Sequence, residues 1–532
     1  MPGIPLSNQA KPITVESMSQ QWHYSLTFGF ENHSRRDWKV LTIGRVLLLV
    51  LVFIASGLSR EAAAELMLPD MSDSSEATLS ATDEQRLGEA FMREIRARIP
   101  VIDEPEISSY LNNLGYRLVS YSGTVGTGME NTNAAKTRFT FFAVKDPAIN
   151  AFAVPGGFIG VNAGLILSTE SESELAAVLG HEIVHIRQHH IARAIQLTDK
   201  MNPLAIAGIL AAIMIGSSQA GQATMAAVTA GSIQKRIDFT RANEKEADRL
   251  GIGMLFAAGL DPRAVPSFFE RLQTAHRYYG APPEFLSTHP VTISRIADSR
   301  NRAEQYPYRQ YSDSLAYHLV RSHLTVMMKK DPKESVKYFD DALRSGKYRN
   351  RTATRYGLVL ALMAASDWKR ARMEIDKLLK SNPDHVVFRA RLADIELTNG
   401  RISDAIRIYA DTLLLYPGHE LLMSGYARAL LEGNKPEKVV TLLDRHKEKS
   451  NRNSVLQKLL AEAFTKMGNK MGADAALAEH HYLNGHLDMA IRQLRIALKT
   501  SNGNRNENYY ENSRIEARLR QFEEERRLRI RH

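Results

Sequence analysis

A chain of 532 residues is longer than one hydrophobic core supports, so two or more domains are expected. Hydrophobic residues at 44% and charged residues at 24% are ordinary for globular protein, and the lack of any cysteine excludes disulfides and thiolate metal sites, leaving histidine and carboxylate as metal ligands. The formal charge of +10 is spread among interleaved acidic residues; it favours peripheral association with an anionic membrane surface only weakly, and with no nucleic-acid motif beside it nucleic acid is not an expected partner.

Near the amino terminus, Arg35, Arg36, Lys39 and Arg45 precede an apolar stretch from Val46 to Ile54, and small residues follow, ending in Ala62, Ala63 and Ala64. A basic region, a short apolar core and an A-x-A-like site read as a secretory signal with an extended leading region over residues 1–64, cleaved after Ala64. The apolar core falls short of the ~20 residues that a membrane-spanning helix needs; the other reading of the segment is an uncleaved anchor. Residues 65–82 are acidic and serine-rich, a flexible leader.

An amphipathic helix is predicted from Asp83 to Arg98 and a second from Glu106 to Leu118, with a Gly-, Thr- and Asn-rich loop over 122–136. The segments Arg138 to Val144 and Phe158 to Asn162 are strand-like. Between them INAFAVPGG places a tight turn at Pro155, Gly156 and Gly157. A small antiparallel sheet is expected. One strand is either an edge to which an extended peptide adds or part of an ordinary hairpin.

Ser171 with Glu174 three residues on is a capping-box pattern, opening a helix that runs to about His190. The apolar region 204–230 has a longest run, Leu204 to Ile215, too short to span a bilayer; it reads as a buried or interfacial helical hairpin, or a flap near a site. A further helix spans about Ser232 to Ala258, with Gly259 and Pro262 as stop signals. Beyond Tyr308 the pattern changes to helix pairs at a 34-residue spacing: Ala371, Ala405, Val439 and Ala473 share one phase, Ile375, Tyr409, Leu443 and Leu477 another. Pro383 and Pro417 each close a unit, with Asn451 where the next proline is due. This is the period of tetratricopeptide repeats, expected over 309–500 and followed by a charged tail or solvated helix over 501–532.

The chemistry centres on HEIVH, residues 181–185. At 3.6 residues per turn His181 and His185 share one helix face and reach one metal, while Glu182 is adjacent and reaches a water without being a ligand. Two histidines do not hold catalytic zinc, so a third ligand is needed. His189 continues the face but lies eight residues from His181, about 12 Å along a straight helix, and Gln188 gives no sign of a glycine turn that would fold it back. His189 and His190 therefore read as residues that support a ligand from behind or lie at the surface. Glu244 in NEKEAD is the better third ligand, from an antiparallel helix. Asp248, at i, i+4, would orient a ligand histidine through its other ring nitrogen, and Glu246 points elsewhere. On spacing alone, a charged solvent face is the simpler reading of Glu244 and Asp248.

HEIVH followed by NEKEADRLG, and preceded by INAFAVPGGFIGVNAGL, resembles the zinc metallopeptidase family that includes the prenyl-protein endopeptidases and the HtpX heat-shock proteases, over residues from about 85 to 500. The resemblance implies one Zn2+ held by His181, His185 and Glu244, with Glu182 as general base. It also places His289, in STHPVTISRIAD, in the active-site region, able to fill a fourth zinc position or stabilise the oxyanion; otherwise His289-Pro290 reads as a helix start. The fold class expected is mostly α: an α+β zincin-type metallopeptidase domain over 83–308, with the small antiparallel sheet, followed by an α-solenoid of tetratricopeptide-like helix pairs. Members with a signal sequence and such repeats imply a periplasmic endopeptidase for misfolded or stalled envelope proteins. Its substrates would be unfolded or misassembled outer-membrane proteins, and its repeats would contact the outer-membrane β-barrel assembly machinery. The alternative is a repeat-based chaperone or assembly scaffold with a latent or regulatory zinc site.

Overall fold

The computed structural model describes residues 81–123, 137–190, 230–279, 283–501 and 509–530. The expected signal sequence, the leader up to residue 80, the loop over 124–136 and the apolar stretch up to residue 229 lie outside the described residues. No helix among the described residues is long and apolar enough to cross a membrane.

Helix α1 (Ala81–Arg98) leads into the two-residue strand β1 (Val101–Ile102) and helix α2 (Pro105–Val119). Pro105 suits the first turn of α2, where its missing N–H has no partner to lose. Ile107, Leu111, Leu114 and Leu118 recur at helical spacing and are buried. Strands β2 (Thr140–Val144), β3 (Ala151–Val154) and β4 (Phe158–Asn162) complete one sheet in the order β1-β2-β4-β3.

The β1/β2 and β3/β4 pairs are antiparallel, but the two strands read from the sequence, β2 and β4, pair in parallel and not antiparallel as expected, Thr140 opposite Phe158 and Val144 opposite Asn162. The reason is the strand Ala151–Val154 itself. The chain leaving β2 crosses to the sheet edge to form β3, and the turn at Pro155–Gly157 then returns β4 into the gap, running with β2. Gly156 and Gly157 have φ of 76° and 88°, a region open to glycine at little steric cost. Alternating strand residues face opposite sides. Phe141, Ala143, Ile159 and Val161 join the core under α2, while Phe142, Val144, Phe152 and Val154 pack on Phe91, Met92 and Ile95 of α1.

Helix α3 (Ala163–Ser168) is followed by α4 (Glu172–Arg187), whose cap is the one read from the sequence: the Glu174 amide donates to Ser171 Oγ at 3.3 Å. Residues 172–186 of α4 are all buried, so this helix is the axis of the domain. Against it lies α5 (Ala230–Ala257). Gly180 and Gly251 meet at the crossing: a side chain on Gly251 would come within 3.6 Å of the His181 backbone nitrogen. Helices α6 (Ala264–Tyr279), α7 (Glu284–Thr288) and α8 (Ile293–Glu304) close this part.

The helix pairs begin with α9 (Leu315–Met328) and α10 (Pro332–Ser345), then α11 (Arg351–Ala364) and α12 (Trp368–Ser381), α13 (Val386–Thr398) and α14 (Ile402–Leu415), and α15 (Glu420–Glu432) and α16 (Pro436–Arg445). After the short α17 (Lys447–Ser450) come α18 (Ser454–Lys466), α19 (Lys470–Leu483) and α20 (Leu487–Ser501). The second helices start at 368, 402, 436 and 470, the 34-residue step. Ala371, Ala405, Val439, Ile375, Tyr409 and Leu443 are buried where helices pack closest; Ala473 and Leu477 are half-buried, and Ala475 and Ala478 take that place in the last unit. Helix α21 (Tyr509–Ile530) is dense in charge, yet it buries Ile515 and Phe522, with the Phe522 ring stacked on Tyr482 at 4.2 Å.

Helix α9 belongs to both cores, since Tyr317, Val320 and Leu324 join the core that α2 and α3 share, and Leu319 packs with the repeats. Glu106 of α2 ties the same junction: it accepts from Tyr356 Oη at 2.6 Å and meets His323 Nδ1 at 2.9 Å and Arg391 at 3.3 Å. At the far end of the repeats, Arg93 of α1 pairs with Glu525 of α21 at 2.9 Å.

Candidate metal centre

Four of the six residues that the sequence marks as ligands or site members bring donor atoms together. His181 and His185 stand one turn apart on α4, with Nε2 atoms 3.0 Å from each other. Glu244 of α5 lies 3.3 Å from His181 Nε2 and 3.4 Å from His185 Nε2. Residue 181 faces 248 while 185 faces 244, so the two helices run antiparallel. His289, in the turn after α7, brings Nδ1 to 3.0 Å from Glu244 and 3.3 Å from His181 Nε2. Its ring is held by stacking on Phe285 at 4.9 Å, and Phe285 in turn donates its amide to Ile149 O. These four donor atoms lie within 4.8 Å of one another.

The set suits zinc. A tetrahedral ion with bonds of about 2.0–2.1 Å has donors about 3.3 Å apart, and the separations given above, taken to either oxygen of Glu244, span 3.0 to 3.4 Å. The donors are imidazole nitrogens and a carboxylate, a combination zinc accepts and this cysteine-free chain must use. His181, His185 and Glu244 would hold the ion, with His289 able to reach the fourth position.

Around the donors sits a charged frame. Asp248 Oδ1 lies 3.0 Å from His181 Nδ1, the ring nitrogen turned away from the cluster. Glu182 is buried, and its Oε1 accepts no hydrogen bond among the described residues; it lies 3.4 Å from His289 Nε2. Burial disfavours charge on His181, but Asp248 and Glu244 outweigh it and push the ring up to about 10. A metal that binds the neutral imidazole must displace that proton, so affinity falls in acid. Burial would raise the Glu244 carboxyl, but the imidazoles of His289 and His181 more than offset it and hold it well below the ordinary carboxylate range. Burial and the neighbouring His181 hold His185 well below the ordinary histidine value, so its ring is neutral.

Two more residues complete the frame, and the sequence reading misses the first of them. Arg295, in the first turn of α8, is buried; its Nε and Nη2 each lie 2.8 Å from the Asp248 carboxylate, and its Nη1 lies 2.8 Å from Glu244 Oε2. The sequence signal was its place six residues after His289, behind the Thr292 cap that accepts from the Arg295 amide. The other is His190, which the sequence reads as supporting a ligand or lying at the surface, and which stands behind His185. It is buried at 3% exposure, with Nδ1 2.8 Å from His185 Nδ1 and Nε2 3.2 Å from Glu246. His189 is half-exposed, 3.4 Å from Glu84.

Two imidazoles from adjacent turns, a carboxylate from the facing helix and a buried glutamate between them define an HExxH metallopeptidase site. The profile of peptidase family M48 matches residues 124–303, and a tetratricopeptide-repeat profile matches residues 396–463. The chain is 35% identical to the beta-barrel assembly-enhancing protease of Escherichia coli (strain K12) over 432 residues, which cover 81% of this chain and 86% of that protein. It is 34% identical to the putative beta-barrel assembly-enhancing protease of Vibrio cholerae over 80% of this chain and 86% of that one. It is also 30% identical to the mitochondrial metalloendopeptidase OMA1 of Schizosaccharomyces pombe, over 35% of this chain and 50% of the relative. This chain belongs to peptidase family M48. It is a zinc metalloendopeptidase that carries tetratricopeptide repeats.

Proposed function

We propose that this enzyme is exported to the periplasm and hydrolyses peptide bonds of misfolded or stalled envelope proteins, with His181, His185 and Glu244 as zinc ligands and Glu182 as general base. The observation that carries the assignment is the convergence of four donor atoms beside a buried glutamate with an unbonded oxygen. Held by His181, His185 and Glu244, zinc would supply an acidified water and a Lewis acid for the scissile carbonyl. Glu182 accepts the proton of the attacking water and delivers it to the leaving amine. Asp248 fixes the His181 ring through Nδ1, and Arg295 balances the carboxylates of Asp248 and Glu244. Strand β3 sits at the sheet edge against α4, with β4 as its one strand neighbour among the described residues; its other side can receive an extended substrate.

The signal-like pattern over residues 1–64 and the relatives named for β-barrel assembly support the compartment and the substrates, which are unfolded or misassembled outer-membrane proteins. The repeats recruit these clients or contact the assembly machinery, a role suited to stacked helix pairs. Glu182→Gln keeps the ligands and removes the base. It is expected to retain zinc while cleavage of casein falls by about 10²-fold or more. Cleavage at the wild-type rate would refute the assignment.

A second reading of the same site rests on His289, 3.0 Å from Glu244 and 3.3 Å from His181. Filling the fourth position, it excludes water and holds the enzyme latent until its turn moves away.

A further inference from the structure

The chain folds back after the HEIVH helix, at His189, one residue beyond Gln188. Helix α4 ends at Arg187; the amides of Gln188 and His189 still bond to Val184 O and Ile186 O at 2.9 and 3.0 Å. His189 then takes φ of 49°, a left-handed conformation that residues other than glycine rarely adopt. That turn swings His190 back beneath His185, five residues earlier. Their rings stand edge to face at 4.8 Å, with the two Nδ1 atoms 2.8 Å apart.

Two nitrogens this close share one hydrogen. His185 directs Nε2 to the ligand cluster, so its Nδ1 carries the proton and His190 Nδ1 accepts it. The hydrogen of His190 is then on Nε2, where it is donated to Glu246, 3.2 Å away. On α5, Glu244 and Asp248 share the face toward the cluster, whereas Glu246 is turned about 200° from Glu244 and serves His185 through the intervening ring. His181 has a carboxylate at its outer nitrogen directly; His185 has one at the end of an imidazole.

We propose that His190 and Glu246 form a positioning relay for His185, fixing its tautomer and ring orientation so that Nε2 is held ready for zinc. This rests on the reading of His185 as a ligand. Partners of this kind govern metal affinity. The test is competition with a zinc chelator on the full chain, with melting temperature measured alongside. His190→Phe should raise the zinc Kd by about 10- to 100-fold. His190→Asn, whose Oδ1 can stand where Nδ1 was, should recover most of that loss. Glu246→Ala should weaken zinc binding in the wild-type background and add nothing to His190→Phe, where the path is already cut. A His190→Phe variant with wild-type zinc affinity, an Asn variant no better than Phe, or full additivity with Glu246→Ala would each overturn the relay. His185→Ala in the same titration separates the two readings. If it binds zinc like the wild type, the ligand assignment fails and the relay with it; if it alone loses zinc, only the relay is refuted.

Discussion

Glu106 offers a perturbation whose size can be worked out. Its carboxylate is buried between the peptidase part and the repeats, against His323 of α9, Tyr356 of α11 and Arg391 of α13. Burial alone would raise its pKa, but the charges of His323 and Arg391 and the Tyr356 hydroxyl bring it from 4.5 down to about 2. That difference corresponds to about 3 kcal/mol of stability at neutral pH. Because the folded value is depressed, the contribution is complete above pH ~5 and is lost as pH falls toward 2. Glu106→Gln keeps the shape and removes the charge. Urea unfolding followed by circular dichroism should show the variant less stable by about 3 kcal/mol at pH 7, with the gap shrinking to roughly half near pH 3. A gap below about 1 kcal/mol, or one that stays constant between pH 7 and pH 3, would refute the reasoning.

Two further outcomes follow from the site. Arg295→Ala strands the buried carboxylates of Asp248 and Glu244, so a loss of about 3–5 kcal/mol is expected; thermal melts check it, and adding Asp248→Asn should restore part of the loss. His289→Ala should change kcat/KM by at least about tenfold, upward if the ring blocks the fourth position and downward if it stabilises the oxyanion; steady-state cleavage of casein decides, and an unchanged rate would remove His289 from the site.

Local rules made much of this molecule legible. The Ser171 cap, the i, i+4 pairs of HEIVH and NEKEAD, and the 34-residue step each depend on residues close in sequence, and each appears where the sequence put it. What was not legible depends on long-range choice or on an unmarked backbone state. The parallel β2/β4 pair arises because β3 takes the sheet edge, which no strand pattern announces. His190 returns through a left-handed His189, where the expected mark would have been glycine. Arg295 looks like an ordinary solvated cation until Asp248 and Glu244 are seen to face it. Ile515 and Phe522 are two apolar residues among many charges, and only the neighbouring α19 and α20 give them a core.

The convergence of residues from two helices on one ion can be measured directly, by zinc content of the purified chain beside that of His185→Ala and Glu244→Ala. One zinc per chain in the wild type, falling steeply in both variants, is the predicted result, since each variant lacks one of the three assigned ligands. Stoichiometric zinc in either variant would contradict the proposed centre.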